Sequence, residues 1–336
     1  VTSPAGAPGV VDVHAHIVTA DLFTGAHAPD PAFAELRTVG GRRRLFVNGR
    51  ELTSAVREFV DPATMAAEAK SDGVDHLLLS PWVQMVPLGV DATEARGRCD
   101  AQNAALASIV ASDPGRFSAL GAVPIDHPRE AARALADACA RGLVGAELPA
   151  NAGDYLGDES LEPFWEAAED VRAILFVHPA TRGISLGALD HHYLWNTVGN
   201  PAETAIAAAH LALAGVLERH PDLRVLLAHG GGALPALRGR LAHGQRAVGA
   251  ARGRLSGPVE SSLSRFYVDT ITHDPRSLRR LVADLGATRV LLGSDRPFDM
   301  GDPDAVGTVR SLRLGAKDES AVLGGNAARL ISAVRR

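Results

Sequence analysis

Two histidines, His14 and His16, stand two residues apart in the segment VDVHAHIV. On an extended chain this spacing sends both side chains off the same face. Neutral imidazole is a good ligand for zinc and related divalent metals, but a lone pair of this kind is as easily a surface feature. Three further segments change its meaning. LFVHP places His178 after an apolar run, LLAHGGG does the same for His229, and LLGSDRPF for Asp295. Four ligands, His14, His16, His178 and Asp295, with one position left for water or substrate, make a plausible single-metal centre. His229, followed by three glycines, is then free to move protons, since free imidazole titrates near pH ~6.5. The reverse assignment, with His229 as ligand and another residue as base, stays open at this point.

Other residues define what the centre is not. The chain has two lysines, Lys70 and Lys317, and neither follows a middle strand. A centre bridged by a carboxylated lysine is therefore excluded. Glu147, at the end of another apolar run, is a candidate ligand for a second metal, although one metal is the simpler account. His191, His192 and His273 lie in loops after apolar runs and are candidates for lining a pocket. No glycine-rich dinucleotide loop opens the chain, and the shortage of lysines leaves little for a pyridoxal cofactor, so no organic cofactor is expected.

These residues need a scaffold that brings distant strand ends together. Eight β-rich runs alternate with helical stretches: 10–14, 74–80, 118–123, 143–148, 173–178, 224–229, 265–269 and 290–294. The helices are expected at 62–71, 99–112, 128–140, 160–170, 201–219, 233–243, 275–285 and 303–314, with a terminal one at 318–329. Several runs are continuously apolar, as in strands covered on both faces. Eight such units, with polar residues at the strand C-termini, predict a (β/α)₈ (TIM) barrel with its site at the C-terminal mouth. Residues 1–336 are read as one barrel domain. Segment 19–60 is too long for a simple connection and reads as an insertion over the mouth, with a small hairpin around Asn48-Gly49.

Composition narrows the function classes. Hydrophobic residues make up 46% of 336, enough for a large core, and the net charge of −5 argues against a nucleic-acid partner. The two cysteines, Cys99 and Cys139, are far apart and read as buried free thiols, consistent with a reducing compartment. No run approaches the ~18 apolar residues of a membrane span, and the first ten residues lack signal-peptide features. A cytoplasmic enzyme without a membrane partner is the expectation.

The same segments resemble a known family. The HxH pair, FVHP, LLAHGGG and LGSDRPF are similar to the metal-dependent amidohydrolase superfamily, specifically its decarboxylase branch, that of 2-amino-3-carboxymuconate-6-semialdehyde decarboxylase. The resemblance runs from about Val11 to Leu330 and is most specific from Trp195 to Gly244. SPWVQ (80–84), Asp61-Pro62 and GNAARL (325–330) also fit it. It implies one zinc ion on His14, His16, His178 and Asp295, with His229 doing proton work. It further implies a homodimer in which Arg240 reaches substrate carboxylate in the neighbouring subunit, and Trp195 as a wall of the substrate pocket. The branch's second carboxylate-binding arginine aligns with Thr53; Arg50 or Arg57 could replace it only if the loop shifts. The exact substrate is therefore open. The implied reaction is non-oxidative decarboxylation of a small unsaturated or aromatic carboxylic acid, with Asp295 and His229 managing protons. A metal-dependent hydrolase of a small lactone or amide is the alternative that site chemistry alone does not separate.

Overall fold

The structure is a computed structural model. It describes residues 9–19, 23, 34–47, 49–51, 59, 61–153, 155–180 and 183–335. Eight parallel strands carry the fold: β1 (Val11–Ile17), β5 (His76–Pro81), β6 (Phe117–Ala119), β7 (Gly145–Pro149), β8 (Ile174–His178), β9 (Arg224–Leu227), β10 (Tyr267–Asp269) and β11 (Val290–Leu291). Between β1 and β5 lie three short antiparallel strands, β2 (Ala34–Val39), β3 (Arg42–Val47) and β4 (Arg50–Glu51).

The parallel strands pair in two runs, β1-β5-β6 and β7-β8-β9-β10-β11. Two bridges join the runs into a ring, Gly121 to Ala146 and Ala15 to Arg296. Backbone hydrogen bonds seal both seams. Glu147 N–H donates to Gly121 O at 3.0 Å, Val13 N–H to Leu292 O at 2.9 Å, and Asp295 N–H to His14 O at 2.8 Å. The barrel is closed, as the eight sequence units predicted.

Two apolar layers explain why these strands are so uniformly hydrophobic. Inside the barrel, Val13, Leu78, Leu120, Ile174, Phe176 and Leu226 form one buried cluster. The terminal helix, Asn326–Ser332, supplies Ala327 and Leu330 to the same cluster. Outside the barrel, Leu79, Leu148, Leu175 and Val177 pack against surrounding helices. Helix Glu162–Asp170 contributes the fully buried pair Phe164 and Trp165. Burying each such side chain stabilises the fold by about 1.5–3 kcal/mol. Helix starts follow local chemistry: Asp61 and Asp274 cap Pro62–Ser71 and Pro275–Leu285, with proline in the first turn of each.

The insertion differs in detail from its expected form. β2 and β3 pair in register from Ala34–Val47 to Val39–Arg42, turning at Gly40 and Gly41. These glycines have φ of +59° and +76°, the left-handed pair that a tight two-residue hairpin requires. The turn containing Gly49 joins β3 to β4, described at Arg50–Glu51. The expected hairpin around 48–49 is thus preceded by another at 40–41. Asn48 itself lies outside the described residues, as do Thr53 and Arg57; for Arg50 only the backbone is described.

Candidate metal centre

β1 brings His14 and His16 to the barrel mouth with a local irregularity. Its pairing with β5 shifts register between Asp12 and Ala15. Such a bulge changes side-chain parity. Val11 and Val13 therefore join the inner core while His14 and His16 also point inward beyond it. The two rings present Nε2 to each other at 3.0 Å. Asp295, immediately past β11, places Oδ1 3.2 Å from His14 Nε2 and 3.3 Å from His16 Nε2. His178 ends β8, with its ring centroid 5.1 Å from that of His14 and 4.7 Å from that of His16. One ligand atom from each of the four lies within 4.8 Å of the others, and all four residues are buried.

The arrangement fits a divalent cation. His178 Nε2 and Asp295 Oδ1 are buried without a hydrogen-bond partner, and such groups are costly unless something else satisfies them. The far nitrogen of each ring is occupied. His14 Nδ1 meets Asp269 Oδ2 at 2.7 Å, His178 Nδ1 meets the Pro179 carbonyl at 2.9 Å, and His16 Nδ1 lies 3.2 Å from Ser80 Oγ. Three imidazoles anchored at Nδ1 and converging at Nε2 form a metal-binding geometry. The cluster's charges are strongly coupled. Burial works against charge on His14, yet the Asp295 charge and the hydrogen bonds to Asp269 and Asp295 carry its pKa up to about 10. Burial likewise opposes ionisation of Asp295, but His14 and the hydrogen bonds around it hold its carboxyl well below the usual range. Burial and the neighbouring histidines push His178 well down.

His229 sits beside the cluster, with its ring centroid 5.2 Å from those of His14 and His178. Its Nε2 faces the other oxygen of Asp295, Oδ2, at 3.4 Å. It falls outside the four-ligand group. His229 has φ of +55°, and the three glycines after it are also left-handed. A β-carbon at Gly232 would meet Pro201 O at 2.3 Å, which explains that glycine.

Two buried carboxylates that the sequence reading passed over hold this mouth together. Asp12 accepts the backbone N–H groups of His14 and Ser294 at 3.0 Å each, and the Ser294 hydroxyl at 2.5 Å. It thereby ties β1 to the turn carrying Asp295. Asp269, the last residue of β10, does the same for His14 and the His229 turn. The one available signal was its position, an acid ending the apolar run before the 270s loop.

A cavity of about 1170 Å³ opens over the centre, and Trp82, Trp195, Tyr193, Phe298 and Glu51 contribute to its wall. Trp195 thus lies where expected. It begins a π-helical turn, Trp195–Gly199, and packs edge-on against Tyr193 at 4.6 Å. His273 also lines the cavity, whereas His191 and His192 are not among its described lining residues. Arg276 lines it too, unanticipated from the sequence. Arg240 is exposed on helix Leu234–Ala247 and is not among the lining residues of its own chain. Glu147 is fully buried near the centre but apart from it, with Oε1 3.8 Å from His16 Nδ1 and 3.9 Å from His178 Nδ1. It faces the ring edges turned away from the converging Nε2 atoms. Burial drives its pKa well up.

The amidohydrolase family profile matches residues 11–332. The chain belongs to the amidohydrolase family. Among curated amidohydrolase relatives, it is 28% identical over 332 residues to a 2-amino-3-carboxymuconate-6-semialdehyde decarboxylase from Dictyostelium discoideum, covering 94% of this chain and 90% of that protein. It is 26% identical over 242 residues to a gamma-resorcylate decarboxylase from a Polaromonas species, covering 68% of this chain and 74% of the relative. Among solved structures, a dihydroxybenzoic acid decarboxylase from Polaromonas, with bound manganese and the inhibitor 2-nitroresorcinol, superposes with a TM-score of 0.78 at 22% identity, covering 97% of each chain. That likeness supports the barrel fold. No helix among the described residues is long and apolar enough to cross a membrane.

Proposed function

We propose that this amidohydrolase is a metal-dependent non-oxidative decarboxylase of a small unsaturated or aromatic carboxylic acid. The observation that carries the site chemistry is the division of Asp295 between the ligand cluster, through Oδ1, and His229, through Oδ2; the relatives favour decarboxylation over hydrolysis at that site. A carboxylate shared in this way links the group that binds a substrate oxygen to the group that moves a proton. The names of the decarboxylase relatives support the same chemistry.

In this reading His14, His16, His178 and Asp295 hold one zinc ion per chain. When bound, the cation supplies electrophilic polarisation of a substrate oxygen or acidification of water. The donor set of three imidazoles and one carboxylate suits zinc; manganese in the Polaromonas structure makes metal identity a point to measure. Trp195 and Phe298 wall the ring or conjugated chain of the substrate. His229, aided by Asp295, delivers a proton to the carbon bearing the carboxylate. The C–C bond then breaks, its electron pair restores conjugation, and CO₂ leaves. One proton is consumed and no oxidant is needed.

The carboxylate itself needs a cation, and Arg240 from a second copy is assigned that role. Its exposure supports this, as do Leu237 on the same helix and Ile206 on the adjoining helix Asn200–Leu213, both exposed apolar residues. The chain is read as a homodimer of single-domain barrels. Segment 19–60 lies over each mouth, a placement supported by Glu51 at the cavity wall. Two buried cysteines outside any disulfide, Cys99 and Cys139, support a cytoplasmic setting.

The test is a panel of hydroxy- and amino-substituted benzoates and carboxymuconate semialdehydes, run beside lactones and anilides with no oxidant. CO₂ released in step with substrate loss, and abolished in His229→Ala, is the expected result. Ring opening or amine release with the carboxylate retained would establish the hydrolase instead. Efficient turnover of 2-amino-3-carboxymuconate-6-semialdehyde would show that Thr53 at the aligned arginine position is no barrier to that substrate.

A further inference from the structure

Asp269 is fully buried at the end of β10, and its carboxylate accepts four hydrogen bonds. Oδ2 takes the His14 Nδ1–H at 2.7 Å and the backbone N–H of His229 at 2.9 Å. Oδ1 takes the backbone N–H groups of Gly230 at 2.8 Å and Ile271 at 3.0 Å. These bonds answer two separate needs. The Asp269 contact occupies Nδ1 of His14, which leaves Nε2 as the ring nitrogen turned to the ligand cluster. His229, meanwhile, holds φ at +55°, a region strained for a residue with a β-carbon. Its N–H and the next one both end on Asp269, which offsets that strain.

We propose that Asp269 is the positioning residue for both halves of the site. It fixes which nitrogen of His14 faces the metal, and it clamps the left-handed turn that aims His229 at Asp295. The other ligand histidines are oriented differently. His178 leans on the Pro179 carbonyl and His16 on Ser80 and Pro81, groups that make no described hydrogen bond to His229. Among the described residues, Asp269 alone touches a ligand ring and the proton carrier's backbone through one oxygen. The proposal rests on the metal reading of the four-residue cluster but not on which reaction the site performs.

Asp269→Asn tests it. If the amide oxygen stays with Gly230 and Ile271, the amide nitrogen faces two donors, His14 Nδ1–H and His229 N–H. Zinc affinity is measured by chelator competition for the parent, Asp269→Asn and Leu278→Ala, the last a destabilising change at a buried residue outside the ligand group and the cavity lining. Asp269→Asn is expected to bind zinc about 10–100-fold more weakly, with Leu278→Ala close to the parent. Exchange of the His229 and Gly230 amides is expected to accelerate in Asp269→Asn. Zinc affinity no weaker than in Leu278→Ala overturns the orienting role, and unchanged amide exchange overturns the clamp. Should Asp269→Asn not fold, the zinc-loaded parent decides: two-bond ¹H–¹⁵N correlations are expected to put the His14 proton on Nδ1, and a proton on Nε2 sinks the assignment. All three readouts work without turnover, so a failure of the decarboxylase reading leaves them intact. A parent that binds no zinc overturns the metal reading itself.

Discussion

His229 Nε2 and Asp295 Oδ2 face each other at 3.4 Å, while the second oxygen of the same carboxylate turns into the ligand cluster. The contact is long for a hydrogen bond, as catalytic contacts often are before substrate tightens them. It separates roles that residue type alone leaves interchangeable: His229 is joined to the centre through Asp295 rather than placed within it.

From that separation follows the behaviour of His229→Ala. Turnover is expected to fall by about 10²–10⁴-fold, the usual worth of a general acid or base. Metal content is expected to stay at the parent level. Loss of metal together with activity, read by elemental analysis of the purified variant, would return His229 to the ligand set.

One metal ion per chain is the expected stoichiometry. Glu147 lies beyond the Nδ1 edges of His16 and His178, on the side away from the converging ligand atoms. Glu147→Gln should therefore leave the stoichiometry unchanged, whereas His178→Ala should lower it. Two ions in the parent, falling to one in Glu147→Gln, would make Glu147 a ligand.

Arg240 is testable by complementation. Arg240→Ala and His229→Ala chains, each inactive alone, should regain part of the parent activity when mixed and allowed to exchange subunits, because one site of the mixed dimer is then complete. No recovery after verified exchange would rule out donation across an interface. Attention would then turn to Arg276, which lines the cavity of its own chain.

Acid stability has a marker far from the site. Arg219 donates to Glu162 Oε2 at 2.8 Å, and His220 Nε2 lies 2.8 Å from Oε1. The hydrogen bond from Arg219 leads in lowering the Glu162 pKa from 4.5 to about 2. A depressed carboxyl pKa stabilises the folded state fully above the unfolded value and ceases to do so as pH falls through the folded one. Glu162→Gln should thus lower stability at pH 7 by no more than about 1 kcal/mol, since solvent screens so exposed a pair. The difference from the parent should shrink as pH falls from 4.5 toward 2. Urea midpoints across that window check it; a constant difference would mean the ion pair is not its source.

Much of the barrel was legible in the chain because local chemistry and tertiary need coincide there. Helices Pro62–Ser71, Pro128–Ala140 and Pro275–Leu285 have the bounds read from the sequence, since each starts with proline and ends against a turn. The apolar runs before His178 and Asp295 marked strands covered on both sides, and their polar ends marked the mouth. Strand lengths were less legible. β11 spans only Val290–Leu291, and Ser294 beyond it is engaged by Asp12 instead of a strand ladder.

The sequence by itself determined the ligand types, the eight-unit order and the glycine-bearing turn after His229, because spacing and residue chemistry are local properties. Only the tertiary structure decided how those pieces act together. The bulge in β1 is a matter of pairing with β5, and periodicity along one strand does not contain it. The Gly40-Gly41 turn joins six residue pairs between β2 and β3, a pairing that the turn signal at Asn48-Gly49 does not announce. Asp12 and Asp269 looked like ordinary strand acids until closure of the barrel set them 282 and 255 residues away from Ser294 and His14 in sequence, yet within hydrogen-bonding reach. Glu147 shows the same limit: a strand-end position does not specify direction, and only the fold sets its Oε1 toward the Nδ1 edges of His16 and His178.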